Sequence, residues 1–277
     1  IINSMGVPGF FRYITKNYKT DVVSKDKPSN VDYLFFDFNG LLHPMCFKVL
    51  AELGTDLSIS EIQNRMISQG ILPYLEKLIS TVAPKKLVYI AIDGVAPMAK
   101  CNQQRSRRWK SSIDAAELGK IKEKWGEPPG HRWTNACISP GTDFMRQITA
   151  AVTKYIQGKK SYWSYEYGFK VVFNNATVPG EGEHKIMDYL RAGPPGISVI
   201  YGLDADLIFL SLGLDRTGVF LLRETKEFNP KARDVLDFTY VDITKLRKTV
   251  EKTVGIPRWD FIVLCTLIGN DFIPNIP

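Results

Sequence analysis

The chain of 277 residues is long enough to bury a sizeable core, either as one large domain or as two smaller ones. Its hydrophobic content of 44% and charged content of 23% are ordinary for a globular protein, and the sequence has no apolar run of about 18 residues that would predict a membrane span. A formal net charge of +7 permits an anionic partner such as nucleic acid but does not require one.

The four cysteines are far apart in the sequence, and none belongs to a C-x-x-C pair. Together with the presence of only three histidines, this pattern argues against a structural zinc site and against a disulfide framework. Free thiols in a reducing compartment are therefore expected. Residues 1–4 precede Met5, a natural start, and are interpreted as a short leader or an expression remnant.

The predicted elements alternate between helices and apolar strands. The first helix covers residues 8–18, and the first strand, within DYLFFDFNGLLH (residues 32–43), ends in a predicted turn at Asn39–Gly40. The later elements are, in chain order, a helix over 60–82, a strand over 87–94, a strongly basic helix over 98–124, a loop over 126–135, a helix over 142–157, a strand over 169–176, a loop over 178–183, a helix over 184–192, a strand over 197–202, a helix over 205–212 and an apolar run over 261–268 that is compatible with a helix. This alternation predicts an α/β fold with a mostly parallel central sheet flanked by helices.

Acidic residues recur where the predicted strands end. Asp37 and Asp93 lie at the tails of two strands, and five further acids follow other strands or the last apolar run, namely Glu181, Glu183, Asp204, Asp206 and Asp271. Because ligands of parallel sheets bind beyond the carboxyl ends of the strands, we expect these carboxylates to converge on one edge of the sheet.

Carboxylates that lie close together repel one another, and hard divalent cations such as Mg²⁺ or Mn²⁺ neutralise them best. Two such cations about 3.5–4 Å apart would activate a water molecule and stabilise the leaving oxygen in phosphodiester hydrolysis. Asp204 and Asp206 stand in the otherwise apolar stretch VIYGLDADLIFLSLG (residues 199–213), where an unpaired buried carboxylate is unfavourable. Their pairing is explained if each faces a metal ion.

A structural interpretation of the same acids remains open. Asp204 would then be the N-cap of the helix over 205–212, and the other acids would be caps and surface charges that never meet. Glu181 and Glu183, in GEGEHK (residues 180–185), would be favourable charges at the start of a helix. That effect is small and does not compete with metal binding.

The predicted basic helix carries one face suited to a phosphate group. Lys100, Gln104, Arg107 and Arg108 are spaced i, i+4, i+7 and i+8, which places them on the same side. One ammonium, one amide and two guanidinium groups would hold a phosphate, particularly a terminal one with extra charge. The alternative is a solvated basic face, but the position shortly after Asp93 favours the phosphate site.

Two further groups have less specific patterns. His43, just beyond Asp37, would stack on a base, contact a phosphate or serve as an ordinary hydrogen-bonding loop residue. Four tryptophans offer stacking surfaces, but core packing is the expected role of Trp109, Trp125, Trp133 and Trp163.

In these motifs the chain resembles the N-terminal catalytic region of the Xrn family of 5′→3′ exoribonucleases. The matching segments cover most of residues 5–277 and are MGVPGFFRYI, FFDFNGLLH, YIAIDGVAPMAKCNQQRSRRW, ISPGTDFM, VPGEGEHKIMDYLR, YGLDADLIFL, LLRE and FIVLCTLIGNDFIP. The combination of GEGEHKIMDY with DGVAP and NQQRSRR is specific.

The resemblance implies a PIN/flap-nuclease-like core in which the seven acids form a two-metal site for Mg²⁺ or Mn²⁺. It implies processive release of mononucleotides from single-stranded RNA with a 5′-monophosphate, in RNA decay. The basic face would be the 5′-phosphate pocket, which rejects capped, triphosphate and hydroxyl ends, and His43 would stack on the first base. The helix over 8–18 would help to exclude duplexes.

The chain departs from the family pattern in places. Met98 replaces a usual basic residue and Asn275 a usual histidine, although neither is an expected metal ligand. Family members continue well past GNDFIP, so residues 5–277 are interpreted as a truncated nuclease domain whose channel is completed by a C-terminal region or a partner. The lack of the low-complexity insertion of nuclear relatives favours the cytoplasm over the nucleus. The rival interpretations are a flap-type, structure-selective DNA nuclease and a catalytically weak RNA-binding scaffold.

Overall fold

The computed structural model describes residues 10–17, 22–54, 56–126, 133–202, 204–224 and 238–268. Within these ranges the strands form one seven-stranded sheet in the spatial order β1-β7-β6-β5-β2-β3-β4. The strands are β1 (Val23–Ser24), β2 (Tyr33–Asp37), β3 (Leu87–Ala91), β4 (Lys170–Asn174), β5 (Ser198–Tyr201), β6 (Val219–Glu224) and β7 (Phe238–Asp242).

The centre of the sheet is parallel. β2 pairs in parallel with both β3 and β5, β3 pairs with β4, and β5 pairs with β6. Only the edge formed by β7 and β1 is antiparallel among the described strands. The register places Asp37 beside Ala91 of β3, and Phe36 beside Tyr201 of β5. The carboxyl ends of neighbouring strands therefore meet at one edge, which confirms the predicted α/β fold with a mostly parallel sheet.

Helices flank this sheet and supply most of the remaining structure. They are α1 (Phe10–Asn17), α2 (Asn39–Glu52), α3 (Ile59–Arg65), a π-helical segment (Met66–Ile71), α4 (Leu72–Val82), α5 (Met98–Lys124), a 3₁₀ turn (Asn135–Cys137), α6 (Asp143–Glu166), α7 (Gly182–Ala192), α8 (Asp206–Leu212), α9 (Ile243–Val254) and α10 (Arg258–Ile268). None of the described helices combines the length and the apolarity that crossing a membrane demands.

Alternation along the strands builds a core on each side of the sheet. In β2, Leu34 and Phe36 enter one cluster, which they share with α2, α3, α4 and α6. Tyr33 and Phe35 point to the opposite side and pack with α7, α8 and α9. A central strand buried on both faces explains why β2 is apolar until its last residue, Asp37.

The predicted turn at Asn39–Gly40 is wrong, because Asn39 begins helix α2. The residues after it are apolar at helical spacing and buried against the sheet, namely Leu41, Leu42, Met45, Cys46 and Val49. Burying this whole face outweighs the local turn preference of the Asn-Gly pair. His43 consequently lies on a helix and not in a loop.

Helix α6 continues to Glu166 and does not end at residue 157 as expected. Trp163 anchors the extension: its ring is buried and lies 5.8 Å from Tyr155 and 5.7 Å from Phe169. Gly158 lies inside the extended helix, where a Cβ placed on it would meet nothing within 4 Å, and a single glycine is tolerated in a helix.

Other expectations have mixed outcomes. The basic helix is confirmed over residues 98–124, and the four cysteines are free thiols. Trp133 and Trp163 are buried as predicted, whereas core packing is wrong for Trp109 and Trp125, whose side chains are 71% and 80% exposed. β1, β6, β7 and α9 were not predicted.

Candidate active site

The structure brings six of the seven predicted acids to the carboxyl edge of the sheet. Asp37 ends β2 and Asp93 follows β3, Glu181 and Glu183 lie at the start of α7, Asp204 lies between β5 and α8, and Asp206 is the first residue of α8. Asp271 lies outside the described residues. Asp37 and Asp93 both approach the backbone of Gly182. A Cβ placed on Gly182 would lie 3.1 Å from Asp37 Oδ1 and 3.3 Å from Asp93 Oδ1.

The acids differ in exposure. Asp37 is 4% exposed and Glu181 is 8% exposed, whereas Asp204 is exposed and Asp206 is partly exposed. The burial that the apolar sequence suggested for Asp204 is therefore wrong. The capping alternative is also wrong for Asp204, because the N-cap of α8 is Ala205 and no side chain caps this helix.

The carboxylates influence one another electrostatically. Burial raises the pKa of Asp37 well above its usual value, and the charges of Asp93, Asp204, Glu183 and Glu181 raise it further. Burial also raises the pKa of Glu183 to about 8, with contributions from Asp204, Asp206 and Glu181. These effects show a concentrated negative charge at the strand ends.

Asp93 is fixed by partners from two other elements. Asn39 donates from Nδ2 to Asp93 Oδ2 at 2.7 Å, and the Asp93 N–H donates to Asn39 Oδ1 at 3.3 Å. The Gly182 N–H donates to the other oxygen, Asp93 Oδ1, at 2.6 Å. Sequence reasoning assigned Asn39 only to a turn. The available signal was its polar amide two residues after Asp37, at the same strand end.

Two glycines let the Asp93 and Glu181 segments lie side by side. The Gly94 N–H donates to Gly180 O, and the Gly180 N–H donates to Val95 O, both at 2.9 Å. A Cβ on Gly94 would lie 1.9 Å from Val178 O, so no other residue fits there without movement of the backbone. Gly180 has a φ of +99°, a conformation that favours glycine.

Lys185 is a buried cation behind the cluster, and sequence reasoning missed it. Its Nζ donates to Ile92 O at 2.7 Å and to Asn175 O at 3.2 Å. Desolvation lowers the pKa of Lys185, and the nearby charge of Asp93 opposes this effect.

The basic face of α5 borders the acids. Lys100 Nζ lies 2.8 Å from Glu181 Oε2, and both side chains are largely buried. Glu181 is the N-cap residue of α7, but its side chain makes no capping hydrogen bond and pairs with Lys100 instead. Gln104 is partly exposed, and Arg107 and Arg108 are exposed on the same helix.

His43 lies within electrostatic range of both an acid and the basic face of α5. Burial lowers its pKa, the charge of Asp204 raises it, and the charges of Arg107 and Arg108 lower it. The side chain is partly buried on α2. The structure thus brings together His43, the two arginines and the acidic cluster, as expected from their sequence positions.

The donor chemistry of the acids suits a hard divalent cation. Their carboxylate oxygens are the ligands that Mg²⁺ and Mn²⁺ prefer, and the close approach of Asp37 and Asp93 around Gly182 forms a shared cradle. Among the described residues, no group of three or more His, Cys, Asp or Glu side chains encloses a metal-sized position. Asn39, Gly182 and Lys100 already engage Asp93 and Glu181, so these side chains would have to adjust to ligate an ion.

Comparisons with known proteins agree with one another. Residues 5–225 match the family model described as XRN 5'-3' exonuclease N-terminus. 5'-3' exoribonuclease 1 of Schizosaccharomyces pombe is 33% identical over 99% of this chain and 22% of that protein, and the Homo sapiens protein of the same name is 33% identical over 99% and 18%. The 5'-3' exoribonuclease 2 homolog of Caenorhabditis elegans is 30% identical over 99% of this chain and 36% of that protein.

The chain therefore spans between about a fifth and a third of the length of these curated relatives. Among solved structures, the catalytic core of Rad2 in complex with DNA substrate aligns over 98% of this chain and 65% of that chain, with 14% identity and a TM-score of 0.48. This likeness is too distant to carry an inference about the present chain.

Proposed function

The chain belongs to the family of the XRN 5'-3' exonuclease N-terminus, and from this premise we propose that it is the catalytic domain of a metal-dependent 5′→3′ exoribonuclease. Its substrate would be single-stranded RNA with a 5′-monophosphate, which it would degrade processively to mononucleotides in RNA decay. The observation that supports this most is the juxtaposition of the acidic cluster with the basic face of α5, through the Lys100–Glu181 ion pair.

The acids would hold Mg²⁺ or Mn²⁺, with Asp271 as a further expected ligand. When bound, two such ions would supply an activated water molecule and stabilisation of the leaving oxygen. The ligands at the sheet edge would be Asp37, Asp93, Glu181, Glu183, Asp204 and Asp206. Asn39 and the Gly182 N–H keep the Asp93 carboxylate oriented.

The basic face would bind the terminal phosphate. Arg107 and Arg108 are exposed and offer paired N–H donors, to which Gln104 and Lys100 would add an amide and an ammonium group. A 5′-hydroxyl end would lack the charge that this face requires, and a triphosphate or capped end would be too large. His43 would stack on the first base. The phosphodiester bond of the first nucleotide would then lie at the acids.

The remaining parts of the proposal concern context. Residues 5–277 would be one nuclease domain with a PIN/flap-nuclease-like core. A C-terminal region or a partner would complete the RNA channel, because the relatives are much longer. The cytoplasm is the proposed location, with the nucleus as the alternative.

The test is digestion of 3′-labelled single-stranded RNA in Mg²⁺ with three different 5′ ends: monophosphate, hydroxyl and triphosphate. We expect rapid loss of the monophosphate RNA only, and no loss with an Asp204→Ala/Asp206→Ala variant. Arg107→Gln/Arg108→Gln should reduce this selectivity, whereas Arg105→Gln, one exposed arginine on the same helix but off the basic face, should preserve it.

Other outcomes would redirect the assignment. Equal cleavage of all three ends would contradict the phosphate pocket. Preferential cleavage of branched DNA would favour a flap-type nuclease. RNA binding without cleavage would identify a scaffold, or a domain that requires a further region or a partner for turnover.

A further inference from the structure

Lys185 is a buried ammonium group for which the proposed reaction has no direct use. It lies on α7, two residues after Glu183, and is 8% exposed. Its Nζ donates hydrogen bonds to two backbone carbonyls, Ile92 O at 2.7 Å and Asn175 O at 3.2 Å. Ile92 lies 93 positions away in the sequence and Asn175 lies 10 positions away, before the loop that leads to α7, so both contacts join α7 to other segments.

These two carbonyls belong to the segments that carry the acids. Ile92 directly precedes Asp93 at the end of β3. Asn175 follows β4 and begins the loop that leads to Glu181. Lys185 itself belongs to α7, which carries Glu183 in its first turn. One ammonium group therefore ties the end of β3, the end of β4 and the start of α7 together.

Packing alone does not explain a lysine at this position. A methionine would fill a similar volume without the unfavourable desolvation of a charge. The lysine also loses side-chain freedom when it is held in one orientation. What methionine cannot do is donate to both carbonyls or place a positive charge behind Asp93.

The neighbouring bonds show that the arrangement depends on small separations. The Gly182 N–H reaches Asp93 Oδ1 at 2.6 Å, and this bond requires α7 to start beside the end of β3. The Gly94–Gly180 and Gly180–Val95 bonds hold the front of the same junction. Lys185 adds its two hydrogen bonds, to Ile92 O and Asn175 O, at the same junction.

We propose that Lys185 is a positioning residue that fixes Asp93 and Glu183 relative to each other through the Ile92 and Asn175 carbonyls and thereby sets the affinity for a divalent cation. The inference rests on the proposed function only in taking the acidic cluster as the cation site. Outer partners that orient metal ligands typically change metal affinity by about 10–100-fold when they are removed.

The test measures Mn²⁺ affinity by electron paramagnetic resonance on the RNA-free protein. We expect Lys185→Met to bind Mn²⁺ about 10–100-fold more weakly than the wild type. Lys185→Arg, which keeps the charge and the donors, should recover most of this loss. Arg191→Met is the matched control, because it removes one positive charge from an exposed position of the same helix, and it should leave the affinity unchanged.

A second measurement separates positioning from folding. Thermal melts first establish the temperature at which each variant is folded. If Lys185→Met does not fold, it is replaced by Lys185→Gln, which retains an N–H donor. The Lys185→Gln variant is then judged by the same measurement, its Mn²⁺ affinity relative to the wild type. With the RNA substrate, the Mg²⁺ concentration for half-maximal rate should rise while the KM for RNA stays unchanged, which a general loss of folded protein would not produce.

The outcomes distinguish this inference from the proposed function. A folded Lys185 variant with wild-type Mn²⁺ affinity would overturn the positioning role, even if the wild type degrades 5′-monophosphate RNA. A weakened Mn²⁺ affinity in a variant of a protein that degrades no RNA would still support the positioning role, whereas the nuclease assignment is tested separately by the RNA digestion. A wild type that binds no Mn²⁺ would overturn both.

Discussion

Lys100 has two anionic groups within its reach if the proposed function is correct. In the structure its ammonium pairs with Glu181, and the family resemblance assigns it to the 5′-phosphate. A divalent cation that binds Glu181 competes with Lys100 for the same carboxylate. Binding of the cation would therefore make Lys100 available to the RNA end, so the two steps would favour each other.

This competition predicts the effect of Lys100→Met. Removing the ammonium group should strengthen Mn²⁺ binding to the RNA-free protein by about 1 kcal/mol, or roughly fivefold, because the cation no longer displaces an ion pair. Lys110→Met is the control on the same helix, at an exposed position, and should have little effect. Titration with Mn²⁺ checks both variants, and unchanged or weaker binding by Lys100→Met would contradict the competition.

The ionised form of Asp37 is strongly disfavoured in the described site. It is 4% exposed, and both burial and four neighbouring acids raise its pKa. Because folding raises the pKa of Asp37, this carboxyl opposes folding at pH values above its pKa in the unfolded chain, including neutral pH, whenever no cation compensates its charge. Such unfavourable groups are typical of functional sites, where stability is given up for chemistry.

Asp37→Asn should therefore stabilise the protein in the presence of a metal chelator at neutral pH. We expect the free energy of unfolding in urea to rise by about 1 kcal/mol or more, and the stabilisation by added Mg²⁺ to be lost. Asp188→Asn, at an exposed position of α7, should change stability by less than about 0.5 kcal/mol. A lower free energy of unfolding for Asp37→Asn would show that the Asp37 carboxylate does not oppose folding.

At the scale of elements, the junction between β3 and α7 is the part on which the site depends. The segment after β3 and the loop before α7 exchange two backbone hydrogen bonds through Gly94 and Gly180. The contact is so close that a Cβ on Gly94 would overlap Val178 O. The two segments that carry Asp93 and Glu181 are thus held at a separation that only glycine permits.

Gly94→Ala should push these segments apart. We expect a loss of more than about 2 kcal/mol in the free energy of unfolding, measured with urea, because the clash is with backbone atoms. The matched substitution Gly119→Ala lies within α5, where a Cβ would meet nothing within 4 Å. It should be neutral or stabilising by up to about 1 kcal/mol, since alanine favours the helix. Equal effects of the two substitutions would contradict the proposed close packing.

At the scale of the whole molecule, the sequence predicted the features that depend on local pattern. An apolar run followed by an acid identified the ends of β2, β3 and β5, and the rule that ligands bind beyond such ends brought distant acids to one edge. The long, strongly basic segment after Pro97 predicted α5 with its observed bounds. These signals are contained within a few residues of each element.

The features that the sequence did not reveal depend on contacts between distant residues. Asn39 meets Asp93 across 54 positions, and Lys185 meets Ile92 across 93. No local pattern distinguishes such a lysine from a surface lysine. The exposed position of Asp204 was not predicted for a related reason. An apolar neighbourhood in the sequence does not fix the direction of one side chain at a strand end. The roles assigned to the seven acids and to the basic face stay predictions until they are measured.

The central claim is that the acids at the carboxyl edge of the sheet form a divalent-cation site beside a phosphate-binding helix. The most direct measurement is a crystal structure with Mn²⁺ and a 5′-phosphorylated dinucleotide, in which anomalous scattering locates the metal. The account predicts an anomalous peak bounded by Asp37, Asp93, Glu183 and Asp204, with the terminal phosphate on Arg107 and Arg108. An anomalous signal found only elsewhere on the surface, or a phosphate bound away from α5, would contradict it.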